Sequence, residues 1–185
     1  MNEDWQLIES CNHNDSDAFE RLYIKYASKM KGVAFRYVND SAVAEDILQE
    51  AYIKVFVNLK TFDTKGSFEG WLRRVVVNSS INYYHSIKKQ QEKLSDLGYI
   101  LENDGEEDSV DENYDYSMEE LVESIGMLPE GYKMVFNMYV VDNFTHKEIA
   151  SALNITEGTS KSQLSKAREY LKKVLEKQKT VSNGI

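Results

Sequence analysis

From Asp15 onward the apolar residues recur three or four positions apart, so that Phe19, Leu22, Tyr26, Met30, Val33 and Tyr37 share one face of a helix. Asp15, Ser16 and Asp17 offer caps for its start, and Asn39-Asp40 break it and open the next. In SAVAEDILQEAYIKVFVNL the stripe is Val43, Ile47, Leu48, Ala51, Val55 and Leu59, leaving Glu45, Asp46, Gln49 and Glu50 along the other side. A third helix is predicted after Gly66, with Ser67 as cap and Phe68, Trp71, Leu72, Val75 and Val76 as its apolar content. The triplet Asn78-Ser79-Ser80 interrupts it, and INYYHSIKKQQEK resumes as a more polar helix. The first half thus reads as a bundle of about four helices, and no segment makes a clear claim to be a strand.

The last third repeats the helical period. Pro129 suits a first helical turn, where its missing N–H has no partner to lose, and Tyr132, Val135, Phe136, Tyr139 and Val140 supply a core face that ends at Asp142-Asn143. Thr145 followed by Glu148 is a capping box, opening a helix with Ile149, Ala150 and Leu153 inside. The turn Asn154-Ile155-Thr156 forces the next helix to cross steeply, and Thr156 can cap it. Its stripe of Leu164, Ala167, Leu171 and Leu175 leaves Thr159, Lys161, Ser162, Gln163, Ser165, Lys166 and Arg168 off the core. This is helix-turn-helix geometry. A DNA major groove about 12 Å wide admits one such helix, whose first turns reach base edges while cations and the helix N-terminus hold phosphates. Gly158 lets backbone approach backbone there. Every amphipathic helix has a polar outer face. The capping box, short turn, glycine and uncharged hydrogen-bonding residues among the cations together point to DNA.

Charge changes the picture of the middle. The chain carries a net charge of −9, which taken whole argues against a nucleic-acid partner. Residues 94–130, however, hold 13 acids and no Lys or Arg. Residues 64–93 hold 6 Lys plus Arg against 2 acids, and residues 131–185 hold 9 against 5. Two basic blocks flank an acidic one. The tract LENDGEEDSVDENYDYSMEE has too few branched apolar residues to offset the entropy of ordering, and reads as a flexible linker. A solvated loop would have the same composition, but one this long is unusual inside a compact domain. The expected organisation is all-α: residues 1–93 a first helical domain, 94–120 the linker, 121–176 the helix-turn-helix domain and 177–185 a tail.

The chain as a whole resembles the extracytoplasmic-function (ECF) sigma factors, the compact promoter-recognition subunits of bacterial RNA polymerase. DAFERLYIKYASKMKGVAFRYV with AEDILQEAYIKVF is similar to the start of sigma domain 2, SFEGWLRRVVVNSSINYY to its promoter-melting part, and LPEGYKMVFNMYVVDNFTHKEIASALNITEGTSKSQLSKAREYLKKVL to sigma domain 4. The resemblance implies that Asp46, Gln49 and Glu50 dock on the clamp helices of the largest subunit of core polymerase, where carboxylates suit basic partners. It places Phe68, Trp71, Arg74, Asn78, Ser79, Ser80, Asn82, Tyr83 and His85 where the family opens the duplex and reads the minus-10 element as single strand. Stacking on an aromatic ring contributes about 1–3 kcal/mol per base, and a polar loop can hydrogen-bond a flipped base edge. Phe68 and Trp71 serve equally well as core residues. Asn78, Ser79 and Ser80 have the better claim, because an interruption between helices is poor core material. Arg73, Arg74, Lys88 and Lys89 would hold phosphates. In the minus-35 helix, Ser162, Ser165 and Lys166 would lie nearest the bases and Lys161, Gln163 and Arg168 nearer the backbone, beside Thr159. The linker, with Tyr99, Tyr114 and Tyr116, could mimic a polyanion in polymerase channels.

Some residues depart from the family pattern. Asn82 and His85 stand where an acid and an Arg are usual, Ser160 replaces a customary apolar residue four before Leu164, and Gln163 and Lys166 stand where Arg is common. The implied partners are core RNA polymerase, promoter DNA both duplex and single-stranded, and an anti-sigma factor. The competing reading is a freestanding helix-turn-helix regulator that binds an operator as a dimer. No phosphate-binding loop, dinucleotide fingerprint or H-E-x-x-H pair supports an enzyme, and no cofactor is expected. A lone Cys11 with His13, His85 and His146 leaves no clustered metal ligands. No run of about 18 apolar residues could span a bilayer and the first residues lack a secretory layout, so a cytoplasmic protein is expected.

Overall fold

The computed structural model describes residues 3–62, 66–94 and 117–182, and among these every regular element is helical. The chain divides into two compact units, Met1–Lys88 and Lys89–Ile185. The expected linker lies, over residues 95–116, outside the described residues.

The first unit contains α1 (Glu3–Asn12), α2 (Ser16–Val38), α3 (Ser41–Asn58), a 3-10 turn at Leu59–Thr61 and α4 (Phe68–Leu94), which runs on past the unit's end. Asp15 accepts hydrogen bonds from Asp17 N at 3.0 Å and Ala18 N at 3.2 Å, so its carboxylate satisfies the first free donors of α2. Asn39, at φ 53°, closes that helix in the left-handed region, and Asp40 caps α3 through Ala42 N and Val43 N. Two residues therefore suffice to turn α3 back along α2. Leu22, Met30, Val33, Ile47, Leu48, Val55, Leu72, Val76 and Val77 are fully buried between the helices. Each such side chain stabilises the fold by about 1.5–3 kcal/mol relative to exposure.

The bundle does have four helices, but not the expected four. Helix α1, unread in the sequence, buries Leu7, Ile8 and Cys11 and stacks Trp5 on Phe62 at 5.8 Å. The expected third and fourth helices are one, because Asn78-Ser79-Ser80 does not interrupt α4. The Ser80 hydroxyl donates to Val76 O at 3.0 Å, so the residue satisfies itself within the helix instead of breaking it.

The second unit contains α5 (Met118–Gly126), α6 (Glu130–Phe136), a π turn at Asn137–Val141, α7 (His146–Leu153) and α8 (Glu157–Ser182). Helix α5 starts inside the stretch expected as linker, under a capping box of Ser117 and Glu120, and α8 runs six residues into the expected tail. Pro129 is the N-cap of α6, one position before the expected first turn. The predicted face of α6 holds only in part. Val135 and Phe136 are buried, but so are Lys133, Met134, Asn137 and Met138, whereas Val140 is 45% exposed. The π turn explains the difference: its wider turn rotates the residues beyond Asn137 away from a 3.6-residue register. Val135, Met138, Ile149, Leu153, Leu164, Ala167, Leu171 and Leu175 form the core onto which α5, α6 and α7 pack α8.

Candidate nucleic-acid interface

The helix-turn-helix forms as its caps dictate. Thr145 Oγ1 accepts from Glu148 N at 3.2 Å while Glu148 Oε2 accepts from Thr145 N at 2.8 Å. Asn154, at φ 55°, ends α7 in the left-handed region that Asn tolerates, and Thr156 caps α8 by accepting from Thr159 N at 3.0 Å. The Thr159 hydroxyl lies 2.8 Å from that of Thr156, so this candidate residue belongs partly to the cap.

At 100° per residue, Ser162 and Lys166 stand opposite the Leu164–Ala167–Leu171 stripe of α8, with Ser165 beside them. Lys161 and Arg168, seven positions apart, share the flank toward α7 and are exposed. Gln163 occupies the opposite flank and leans on α6, where a methyl placed on Gly131 would stand 3.5 Å from its amide. The structure thus gathers Lys161, Ser162, Ser165, Lys166 and Arg168 on one outward arc and turns Gln163 away. One turn beyond Ser165 the arc becomes acidic at Glu169, which an ion pair with Lys173 holds ionised below the usual carboxylate range. Gly158 has room for a side chain, since a Cβ there would meet only Thr156 Oγ1 at 3.7 Å. Nothing within the unit requires glycine at that position.

Behind this arc lies a contact that sequence reasoning did not anticipate. Ser160 is fully buried, and its Oγ stands 2.9 Å from Nδ1 of His146, the first residue of α7. The His146 ring stacks on Tyr139 of the π turn at 4.4 Å and 20°. Burial, then the cations of Lys161 and Arg168, hold this imidazole below its usual range against the opposing pull of Glu157.

Helix α4 sorts its candidates by face. Trp71, Arg74, Asn78, Asn82, His85 and Lys89 follow steps of three and four and form one stripe, about 27 Å long at 1.5 Å per residue. Arg74, Asn78, Asn82 and Lys89 are exposed; Trp71 and His85 are half-buried. Lys88 flanks the stripe, whereas Arg73 is half-buried and lies roughly 140° round the helix from its centre. Phe68, which the sequence left open between core and stacking platform, is 4% exposed and packs on Tyr26, Phe62 and Trp71 at 5.6–5.8 Å. Ser79 and Ser80 face the core with no exposure, so the expectation that they meet flipped bases fails on placement. Tyr83 is half-buried and lies off the stripe.

On α3, Asp46, Gln49 and Glu50 are exposed on one face, which Ile53 and Val57 continue at 64% and 77% exposure. These two apolar residues outside the core stripe were the sequence signal for a docking surface, and they went unread. Glu50 pairs with Lys54 at 2.6 Å, and Lys54 Nζ donates to Ser79 Oγ at 3.1 Å. Lys54 therefore joins the acidic face of α3 to the inner side of α4. Among the described residues, no helix is long and apolar enough to cross a membrane and no cluster of His, Cys, Asp and Glu could hold a metal.

Two family models match the chain. Sigma-70 region 2 matches residues 22–90, and sigma-70 region 4 matches residues 118–171. The ECF RNA polymerase sigma-E factor of Escherichia coli K12 is 32% identical over 178 residues, covering 91% of this chain and 92% of that protein. SigW of Bacillus subtilis, also an ECF RNA polymerase sigma factor, is 30% identical over 176 residues, covering 91% and 94%. In fold, the chain is similar to the sigma factor RpoE of Bartonella quintana, solved in complex with the anti-sigma factor NepR, with a TM-score of 0.52 at 18% identity over 85% of this chain and 96% of that one.

Proposed function

The chain belongs to the ECF sigma factors of the sigma-70 family, and from that membership we propose how its two units divide the work of directing RNA polymerase to promoters. As a sigma factor it binds core polymerase and selects where transcription starts. In our reading, residues 1–93 dock on the core and open the minus-10 element, and residues 121–176 read the minus-35 element. Asp46, Gln49 and Glu50, continued by Ile53 and Val57, form a surface for a helix whose basic end meets the acids and whose apolar end meets the two aliphatics. Trp71 and the amides of Asn78 and Asn82 meet unpaired bases while Arg74, Arg73, Lys88 and Lys89 hold phosphates. Ser162, Ser165 and Lys166 face base edges, with Lys161 and Arg168 on the backbone. The phosphodiester chemistry belongs to the core. An anti-sigma partner that covers both DNA faces would silence the protein, which works in the cytoplasm beside the polymerase.

The observation that carries this division is the polar and basic stripe Trp71–Lys89 on α4 occurring in one chain with the basic arc Lys161–Arg168 of a helix-turn-helix. Each face alone suits DNA; together, on units joined through an acidic tract, they suit two promoter elements engaged at once. Reconstitution with core polymerase and run-off transcription from a genomic fragment library tests it. Promoter-specific transcripts that require both units are expected. A protein that self-associates and binds its target duplex equally well without polymerase would instead be an operator-binding regulator.

A further inference from the structure

Resting on that reading of α8, we infer that the His146–Ser160 hydrogen bond is a positioning device for minus-35 recognition: it fixes the rotation of α8 and so sets the selectivity of side chains that neither residue resembles. Ser160 lies in the first turn of α8, between Thr159 and the pair Lys161-Ser162, yet it is fully buried and out of reach of any DNA. An apolar residue there would pack acceptably over a range of helix rotations, because burial is non-directional. A buried hydroxyl is different. It must keep a partner within hydrogen-bonding distance and angle, or bear the cost of desolvation.

The partner is fixed in turn. His146 Nδ1 meets Ser160 Oγ at 2.9 Å, and the ring is held flat against Tyr139 at 4.4 Å. Three elements, the π turn, the start of α7 and the first turn of α8, are thereby pinned at one point. Side chains on the outer surface of a helix lie roughly 5–6 Å from its axis, so a rotation of about 10° displaces them by about 1 Å. That is enough to spoil a hydrogen bond to a base edge, whose useful distance range is only about 0.5 Å. The neutral imidazole also suits its place, since a cation at a helix N-terminus opposes the dipole and would face Lys161 and Arg168.

The test uses the full-length protein in holoenzyme. The measured quantity is the affinity ratio between a duplex that the wild-type holoenzyme selects from genomic fragments and the same duplex with its upstream element randomised. S160A removes one oxygen and creates no clash, H146F keeps the stack on Tyr139 but loses the hydrogen bond, and H146N keeps a donor and acceptor near the Nδ1 position without the ring. S160A and H146F should each lower the ratio by roughly three- to tenfold, the equilibrium weight of one neutral hydrogen bond, with the double variant no worse than either. H146N should retain most of the ratio. A merely structural role would move the melting temperature and leave the ratio alone. S160A or H146F with a wild-type ratio, or losses that multiply in the double variant, would overturn the inference while leaving the function standing. A wild-type holoenzyme that does not distinguish the two duplexes would overturn both.

Discussion

Replacing Ser80 with Ala, beside Asn78 with Ala, separates two ways in which α4 could engage melted DNA. Ser80 is wholly buried and its hydroxyl returns to Val76 O within the same helix, so no base edge reaches it in this fold. S80A loses one neutral hydrogen bond worth about 1 kcal/mol, while Ala recovers about 0.5 kcal/mol as the better helix former, and Val76 O keeps its backbone partner. The net change is under about 1 kcal/mol, a shift of at most a few degrees in the melting temperature of a domain this size. Asn78 is exposed on the stripe, so N78A should leave stability within about 0.5 kcal/mol. Loss of its amide from a base contact of about 1–1.5 kcal/mol should weaken strand opening roughly five- to tenfold. Opening is read by permanganate attack on unpaired thymines in the promoter complex, with circular-dichroism melting as the stability control. Opening abolished by S80A in a normally folded protein, or unaltered by N78A, would show that the stripe is not the reading face.

Three further perturbations follow from the geometry. T145A removes the hydroxyl that accepts from Glu148 N and should cost the second unit about 1 kcal/mol in urea titration; an unchanged midpoint would mean that the cap contributes nothing. The Tyr52 hydroxyl is buried without a hydrogen-bond partner, and burial raises its pKa above the usual phenolic value, so Y52F should be neutral or stabilise the first unit by up to about 1 kcal/mol, a clear loss counting against the argument. Because folding depresses the pKa of His146 below its ordinary 6.5, the unfolded chain takes up a proton that the folded one resists. The stability of the second unit should therefore be intact above that value and fall as pH drops through it, until the lower folded pKa is passed. Denaturant melts at about pH 7.5 and about pH 5.5 should show this loss in wild type and a smaller one in H146F; equal slopes would refute it.

What the sequence revealed and what it hid differ by the range of the interaction involved. The Thr145–Glu148 capping box, the helix-breaking Asn residues and three-to-four spacing act within a few residues, and they placed α2, α3, α7 and the turn before α8 correctly, although the equally local Ser117–Glu120 box that opens α5 went unread in an acidic tract. Two serines after an asparagine look like a break because isolated serine hydroxyls compete with the backbone for hydrogen bonds. In α4 that competition is resolved across the fold: Ser79 Oγ accepts from Lys54, 25 positions away, and helix and core continue through the triplet. The π turn was hidden for the same reason, since its extra residue is set by packing around Asn137 and Met138 and leaves no mark on a count of 3.6.

The same logic identifies which departures from the family pattern carry information. Ser160 breaks the apolar stripe of α8, and judged alone it is simply a weaker core residue than the one expected. His146, 14 positions earlier, is likewise an unremarkable polar side chain at the start of a helix. Only the folded unit shows that each supplies what the other lacks, a buried hydroxyl with a ring nitrogen beside it and an aromatic face beneath. Because the pair replaces a non-directional contact with a directional one, any change at residue 160 should be tolerated or rejected according to what stands at residue 146. Exchanging both residues together for an apolar pair should then restore stability sooner than it restores promoter choice, since packing recovers with volume and orientation does not.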